Sequence, residues 1–228
     1  MLDLSPQEAE AIWLSLKVAG VATLASCPVA ILIAYILARG RFFGHAALNA
    51  AAHLPLVLPP VVTGYALLLL FGRHGPLGAF LAEHLGLVFA FRWTGAALAA
   101  AVMSFPLLIR PMRLSFESVD PQLPQAARSL GAGPLAAFLF VELPLALPGV
   151  ITGAVLGFAK ALGEFGATIT FVSNIPGETR TIPVAIYTFM QMPDGDRGAL
   201  RLSLVAVAIA VGALVASETL QRRAGVRA

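Results

Sequence analysis

The chain has 228 residues, of which 58% are hydrophobic and only 12% charged, so it has too little polar surface to cover a globule in water. A formal net charge of +3, with no basic run interleaved with aromatics, gives no sign of a nucleic-acid partner. Cys27 is the single cysteine, which excludes an intrachain disulfide or a cysteine metal site, and His45, His53, His74 and His84 lack tight ligand spacing, so no metal is expected.

The opening MLDLSPQEAEAIWLSLKV is acidic where a secretory leader is basic, and the first apolar run is therefore read as a retained span. Five runs approach the roughly 20 residues that cross a hydrocarbon core of about 30 Å. The first extends from about Ala11 to Ala38 and stops at Arg39-Gly40-Arg41. The second, about Ala46 to Phe71, contains LPLVLPP (Leu54 to Pro60), and a loop with Arg73, Gly75, Pro76 and Glu83 is expected after it. The third runs from about Trp93 to Ile109 and ends at Arg110 and Arg113. Residues 114 to 140 are mixed in character and read as short helices on a surface. A fourth span is expected from about Leu145 to Val172, followed by the loop SNIPGETRTIP (Ser173 to Pro183) and the turn PDGDRG (Pro193 to Gly198). The fifth covers about Ala199 to Ala216, with Arg222, Arg223 and Arg227 beyond it.

Basic residues near the span ends set the orientation. With the amino terminus outside, Arg39, Arg41, Arg110, Arg113, Arg128, Arg222, Arg223 and Arg227 lie inside, against Arg73, Arg92, Arg180, Arg197 and Arg201 outside. Trp13 and Trp93 then fall near the outer interface, and residues 114 to 140 face the cytoplasm. LPLVLPP has a local echo in LPLALPG (Leu143 to Gly149), which is either two kinked helix starts or a shared gating element.

Within the cytoplasmic segment, Gln125-Ala126-Ala127 is followed after three residues by Gly131, and nine further residues lead to Val141 and then Leu143-Pro144. This spacing resembles the EAA loop of ABC-importer permeases, with Gln125 where glutamate is usual and Val141 where isoleucine is. The resemblance implies a coupling helix, built on Gln125, Ala126, Ala127, Arg128, Gly131, Leu143 and Pro144, that docks on a separate ATPase subunit. Physically, Ala126 and Ala127 permit close approach, Gly131 ends the helix with a positive φ, and Arg128 can meet an acidic rim. An amphipathic helix lying on the membrane is the alternative.

In the fourth span Gly149, Gly153, Gly157 and Ala161 recur every four residues, a small-residue stripe for helix packing. Lys160 and Glu164 share one helical face, and at membrane depth they form either a structural bridge or part of a path or gate, with Thr168 beyond them. Thr63, Ser104 and Thr170 are weaker path candidates.

LGEFGATITFVSNIPGETRTIP (Leu162 to Pro183), HLPLVLPPVVTGY (His53 to Tyr65) and AAAVMSFPL (Ala99 to Leu107) narrow the resemblance to permeases of molybdate ABC transporters. It implies a multi-pass protein of the bacterial inner membrane that acts with a second copy of itself, two ATPase subunits, an external oxyanion-binding protein and membrane lipid. Asn174 and Arg180 would then help to dock the binding protein. The expected fold is all-α, a polytopic bundle of about five spans, or six, forming one permease domain over residues 1–228. No P-loop exists, since Lys17 and Lys160 follow Leu16 and Ala159, so no catalytic residue or cofactor is expected in this chain and ATP and Mg would sit on the partner. Three alternatives remain: a tungstate or sulfate permease, an ion-coupled secondary transporter, and an intramembrane enzyme, for which no nucleophile–base set is found.

Overall fold

The computed structural model describes residues 4–224, and among them every regular element is helical. Helix α1 (Pro6–Arg39) begins at a capping box, in which Ser5 Oγ accepts from the Glu8 amide and the Glu8 carboxylate accepts from the Ser5 amide. It ends where Gly40 leaves the helix, and Pro28 is absorbed within it. Its 34 residues span about 51 Å, more than the hydrocarbon core requires.

The second expected span is two helices, α2 (His45–Val57) and α3 (Pro60–Phe71), bent by 114° at the break. The cause is in the sequence. Pro59 and Pro60 offer no amide hydrogen, and each forces the residue before it out of the helical region, so Leu58 and Pro59 are extended at ψ 141° and 135°. The loop expected next contains a helix, α4 (Pro76–Leu85), started by Pro76 and closed by Gly86 at φ 65°. Gly and Pro there punctuate a short helix instead of unwinding it.

Helix α5 (Trp93–Ser118) runs past the expected end at Ile109, through Pro106 and Pro111. Basic residues do not stop it because they lie along its surface: Arg110 is exposed, and Arg113 reaches Glu117 at 2.7 Å and Asn49 of α2 at 3.0 Å. The following helices are α6 (Gln122–Ser129) and α7 (Pro134–Ala137). A π-helical turn, Phe138–Glu142, then joins α7 to α8 (Leu143–Leu162). The expected surface segment 114–140 therefore divides: its start belongs to α5, α6 is the separate short helix, and its end enters a continuous apolar helix over Pro134–Leu162. That span does not reach Val172. It stops at Gly163, and α9 (Gly166–Val172) follows a break. Helices α10 (Ile182–Met190) and α11 (Asp196–Ala224) complete the fold.

Among the described residues four helices are long and apolar enough to cross a membrane, and the bent α2–α3 pair makes a fifth candidate, in agreement with about five spans. Of the four, α5 is the most enclosed and α11 the least. The core has an outer layer around Val18, Ala96, Met103, Leu162 and Phe171, and an inner layer around Leu37, Leu108, Met112 and Phe116. In the inner layer Tyr35 packs edge-on against both Phe116 and Phe138. A smaller cluster of Ala11, Ile182, Ala185 and Leu202 joins α1, α10 and α11. The side chains of Arg222 and Arg223, and all of Arg227, lie outside the described residues.

Candidate functional site

Helix α6 stands at the end of the bundle where α1 and α5 finish, and Arg39 Nη2 donates to the Val119 carbonyl at 2.8 Å across that end. Asp120 Oδ1 accepts from the Gln122 amide at 2.9 Å and starts the helix. The end is a double-bonded glycine cap. Gly131, at φ 96°, donates to Arg128 O at 3.0 Å, and Ala132 donates to Ala127 O at 3.0 Å. A Cβ at Gly131 would meet nothing within 4 Å, so this glycine is required by its backbone conformation and not by crowding. Gln125, Ala126 and Arg128 are exposed and Ala127 is half-buried, while Pro124 turns inward. The result is a short helix that exposes Ala126 between Gln125 and Arg128, with Leu123 and Leu130 exposed towards its two ends. Leu143 and Pro144 lie at the start of α8, past the π-helical turn that joins it to this segment.

The small-residue stripe of α8 is a backbone contact with α5. A Cβ on Gly149 would lie 2.6 Å from Pro111 O, and one on Gly153 would lie 2.5 Å from Leu108 O. One on Gly157 would overlap the Leu108 side chain. Helices α3 and α9 meet in the same manner. A Cβ on Gly64 of α3 would lie 2.6 Å from Ala167 O of α9, and one on Gly166 would lie 2.7 Å from Pro60 Cβ. Helices α3 and α9 thus pack on each other, and the break of α2–α3 abuts the start of α9. The LPLVLPP and LPLALPG echo does not mark equivalent places: the first makes a break, whereas the second lies in continuous helix, with the break of its span further on at Gly163.

Lys160 and Glu164 bridge that second break. Lys160 Nζ is 2.5 Å from Glu164 Oε2, and Glu164 Oε1 accepts from the Ala167 amide at 3.0 Å, capping α9. Glu164 is buried, while a third of the Lys160 side chain is exposed. Thr168 and Ser104 are fully enclosed, and Ser104 donates to Ala101 O. Thr63 is buried with no partner for its hydroxyl, and Thr170 donates to Gly166 O. Thr63, Ser104 and Thr168 are thus buried among the helices, and Thr170 is half-buried.

The outer loop is ordered by its own side chains. Arg180 Nε donates to Asn174 Oδ1 at 2.8 Å, and Asn174 Nδ2 donates to Thr188 Oγ1 at 2.9 Å. Glu178 caps α5 through the Trp93 amide, and Ser15 of α1 accepts from the Ile182 amide at 2.6 Å. Asn174 and Arg180 therefore hold the loop's shape and are half-buried.

Three features escaped the sequence reading. Arg201 is not a loop charge: from α11 it meets Glu8 with both Nε and Nη2, at 2.9 and 3.1 Å, and Glu8 is fully buried. Lys17 lies 3.6 Å from the centroid of the Trp93 ring, joining α1 to α5. Glu142 is buried in the π-helical turn, and its Oε2 has no hydrogen-bond partner among the described residues. It lines a cavity of about 190 Å³ with Tyr35, Arg39, Gln125 and Arg128, directly behind α6. Only its position in an apolar run could have flagged it, as an ionisable group at membrane depth.

An apolar bundle of several candidate spans, one of them broken, with a short exposed helix at one end is the architecture of a polytopic membrane protein. The chain belongs to the binding-protein-dependent transport system inner membrane components, whose family model matches residues 28–223. It is 56% identical over 219 residues to the molybdenum transport system permease protein ModB of Escherichia coli (strain K12), covering 96% of each chain. Identity to the protein of the same name from Haemophilus influenzae is 52% over 216 residues, covering 95% of this chain and 94% of that one. Among solved structures, a bacterial ABC transporter involved in the import of the acidic polysaccharide alginate matches with a TM-score of 0.74 at 19% identity, over 97% of this chain and 81% of that one. An inward-facing MetNI methionine ABC transporter matches with a TM-score of 0.72 at 15% identity, over 97% of this chain and 99% of that one. The two structures establish the fold alone.

Proposed function

We propose that this chain is the membrane-spanning subunit of an ATP-driven importer for molybdate, working as two copies with two ATPase subunits and an external binding protein. The single observation that carries the coupling role is α6: a short helix with exposed small residues, ended by Gly131 in a conformation that β-branched residues resist. Gln125, Ala126, Ala127 and Arg128 form the docking face, and Leu143 and Pro144 pass its movement into α8. ATP and Mg belong to the partner. The substrate follows from the names of relatives more than half identical along nearly the whole chain.

A tetrahedral dianion cannot enter hydrocarbon without losing its water at large cost, so the path opens to one side at a time. The break of α2–α3 and the adjoining start of α9 form the hinge region of that path, with Lys160, Glu164 and Thr168 beside it. The face of α3 bearing Val61, Tyr65 and Leu69 is exposed and apolar, and meets the second copy. Residues of the outer loop around Asn174 and Arg180, held rigid by their mutual hydrogen bond, receive the binding protein.

The test is uptake by the transporter reconstituted with its own binding protein and ATP. Molybdate should accumulate, and tungstate should compete more strongly than sulfate; preferential accumulation of sulfate would reassign the substrate. Gly131→Val should lose most ATP-driven uptake with membrane insertion and bundle stability intact, the left-handed backbone costing roughly 1–2 kcal/mol locally. Gly131→Asn, which tolerates that conformation better, should retain more uptake than Gly131→Val. Full uptake by the valine variant would remove the coupling role from α6.

A further inference from the structure

Helices α1, α2 and α5 enclose a seam whose two parts differ in character. One part is an apolar groove of about 540 Å³ walled by Val29 and Ile33 of α1, Leu48 and Ala51 of α2, and Val102 and Phe105 of α5. One turn further along α1 and α2, the seam passes Leu37 and His45 into a second recess of about 620 Å³ at the end of the bundle that carries α6. Arg39, Arg41, His45, Arg113 and Glu117 supply the charged and titratable groups of this recess.

The charges do not cancel. Arg113 is matched by Glu117 at 2.7 Å, and His45 Nε2 is bonded to Leu37 O at 3.0 Å. Arg39 uses Nη2 on the Val119 carbonyl, but its Nε is buried without a partner. Arg41 is exposed and has no ion pair among the described residues. Arg39 also faces Glu142 across the neighbouring cavity, so Arg41 is the guanidinium left in excess over carboxylate. Next to it Phe43 projects fully into its surroundings and Phe42 is partly exposed, where aromatic residues favour the membrane–water boundary.

We propose that this seam binds one anionic phospholipid, with an acyl chain in the groove and its phosphate against Arg41 and Arg39. The paired chemistry selects the occupant. A free phosphate would leave the groove uncovered, and a zwitterionic lipid would not balance the excess positive charge. The apolar groove and the basic recess lie about one helical turn apart along α1 and α2, within the reach of a single lipid molecule, and the recess is at the bundle end that carries the helix proposed to couple ATP chemistry to transport.

The experiment uses the full-length chain with the subunits that copurify with it, in a mild detergent, followed by native mass spectrometry. Phosphatidylglycerol and phosphatidylcholine are titrated separately. Phosphatidylglycerol should be retained about fivefold more than phosphatidylcholine, and Arg41→Ala should remove that preference without changing phosphatidylcholine retention. Ala51→Phe, at an exposed groove position, should lower retention of both lipids. Equal retention of the two lipids by the parent protein, or an unchanged preference in Arg41→Ala, overturns the proposal. So does displacement of phosphatidylglycerol by millimolar inorganic phosphate, which would make the recess a phosphate site alone. A change in the number of copies of this chain on Ala51→Phe would make the groove a subunit interface, and would overturn it equally.

Discussion

At the amino-terminal end of α1 the buried carboxylate of Glu8 is gripped by both forks of Arg201 and by the Ser5 amide, whereas at the other end of the same helix Glu142 Oε2 and Arg39 Nε are buried with no hydrogen-bond partner among the described residues. The outer end is also tied by Lys17 on Trp93, by Glu178 on the α5 amino terminus and by the Asn174–Arg180 bond. At the α6 end the ties are Arg39 on the Val119 carbonyl and Arg113 on Asn49, and α6 itself is held by its own caps. Buried polar groups are nearly always satisfied in a finished structure. The contrast is one of charged groups: the buried carboxylate at the Glu8 end is paired, whereas at the α6 end two charged side chains each keep a buried atom without a hydrogen-bond partner among the described residues, although the Thr181 hydroxyl at the first end is unpaired as well.

The largest expected effect tests the Glu8 end. Arg201→Met leaves the fully buried Glu8 carboxylate without its cation and should destabilise the protein by about 3 kcal/mol, at the lower edge of the buried-pair range because a third of Arg201 is in solvent. Glu8→Gln leaves a guanidinium that can turn to water and should cost less. Thermal unfolding in detergent measures both. If the two substitutions cost the same, the pair is not the enclosed clamp that the contrast requires.

Next comes the seam that both ends share. Gly153→Leu would force side-chain atoms into the space occupied by Leu108 O, a backbone atom that cannot rotate away. Overpacking of this kind costs about 1–3 kcal/mol, and the yield of monodisperse protein should fall with it. Normal yield and unfolding temperature would mean that α5 and α8 separate freely.

These variants also mark how far the sequence could be read. The spacing of Gly149, Gly153 and Gly157 predicts a close helix contact, and the contact is there, because a four-residue repeat of small side chains has one simple use in a membrane helix. Likewise the glycine cap of α6 follows from local chemistry, since Gly131 acts within its own turn. What depends on distant chain was illegible. Glu8 and Arg201 are separated by most of the sequence, and no periodicity joins them. The breaks at Pro59 and Gly163 blurred into apolar runs, because hydropathy measures length and apolarity but not direction. Arg110 and Arg113 misled in the opposite sense: they suggested a helix end where the helix merely emerges.

The smallest expected effect concerns the α6 end, and it bears on Gln125. Where the family pattern has glutamate, this chain has glutamine, and Gln125 lines the same cavity as the buried Glu142. A second carboxylate there would set two negative charges around one small polar space that also holds Tyr35, Arg39 and Arg128, the two cations limiting the repulsion, whereas with Gln125 the cavity holds Glu142 as its one carboxylate. Gln125→Glu should therefore cost about 1 kcal/mol or less, since residue 125 is itself exposed and water screens it. Glu142→Gln should leave stability unchanged or raised, because the oxygen lost had no partner. The double variant should recover what Gln125→Glu loses, in uptake and in unfolding temperature, since the two positions are coupled through one cavity. Strict additivity would show that the glutamine and the buried glutamate are independent. A Glu142→Gln loss as large as that of Glu8→Gln would show that the inner carboxylate is held as firmly as the outer one, and the two ends would then no longer differ in kind.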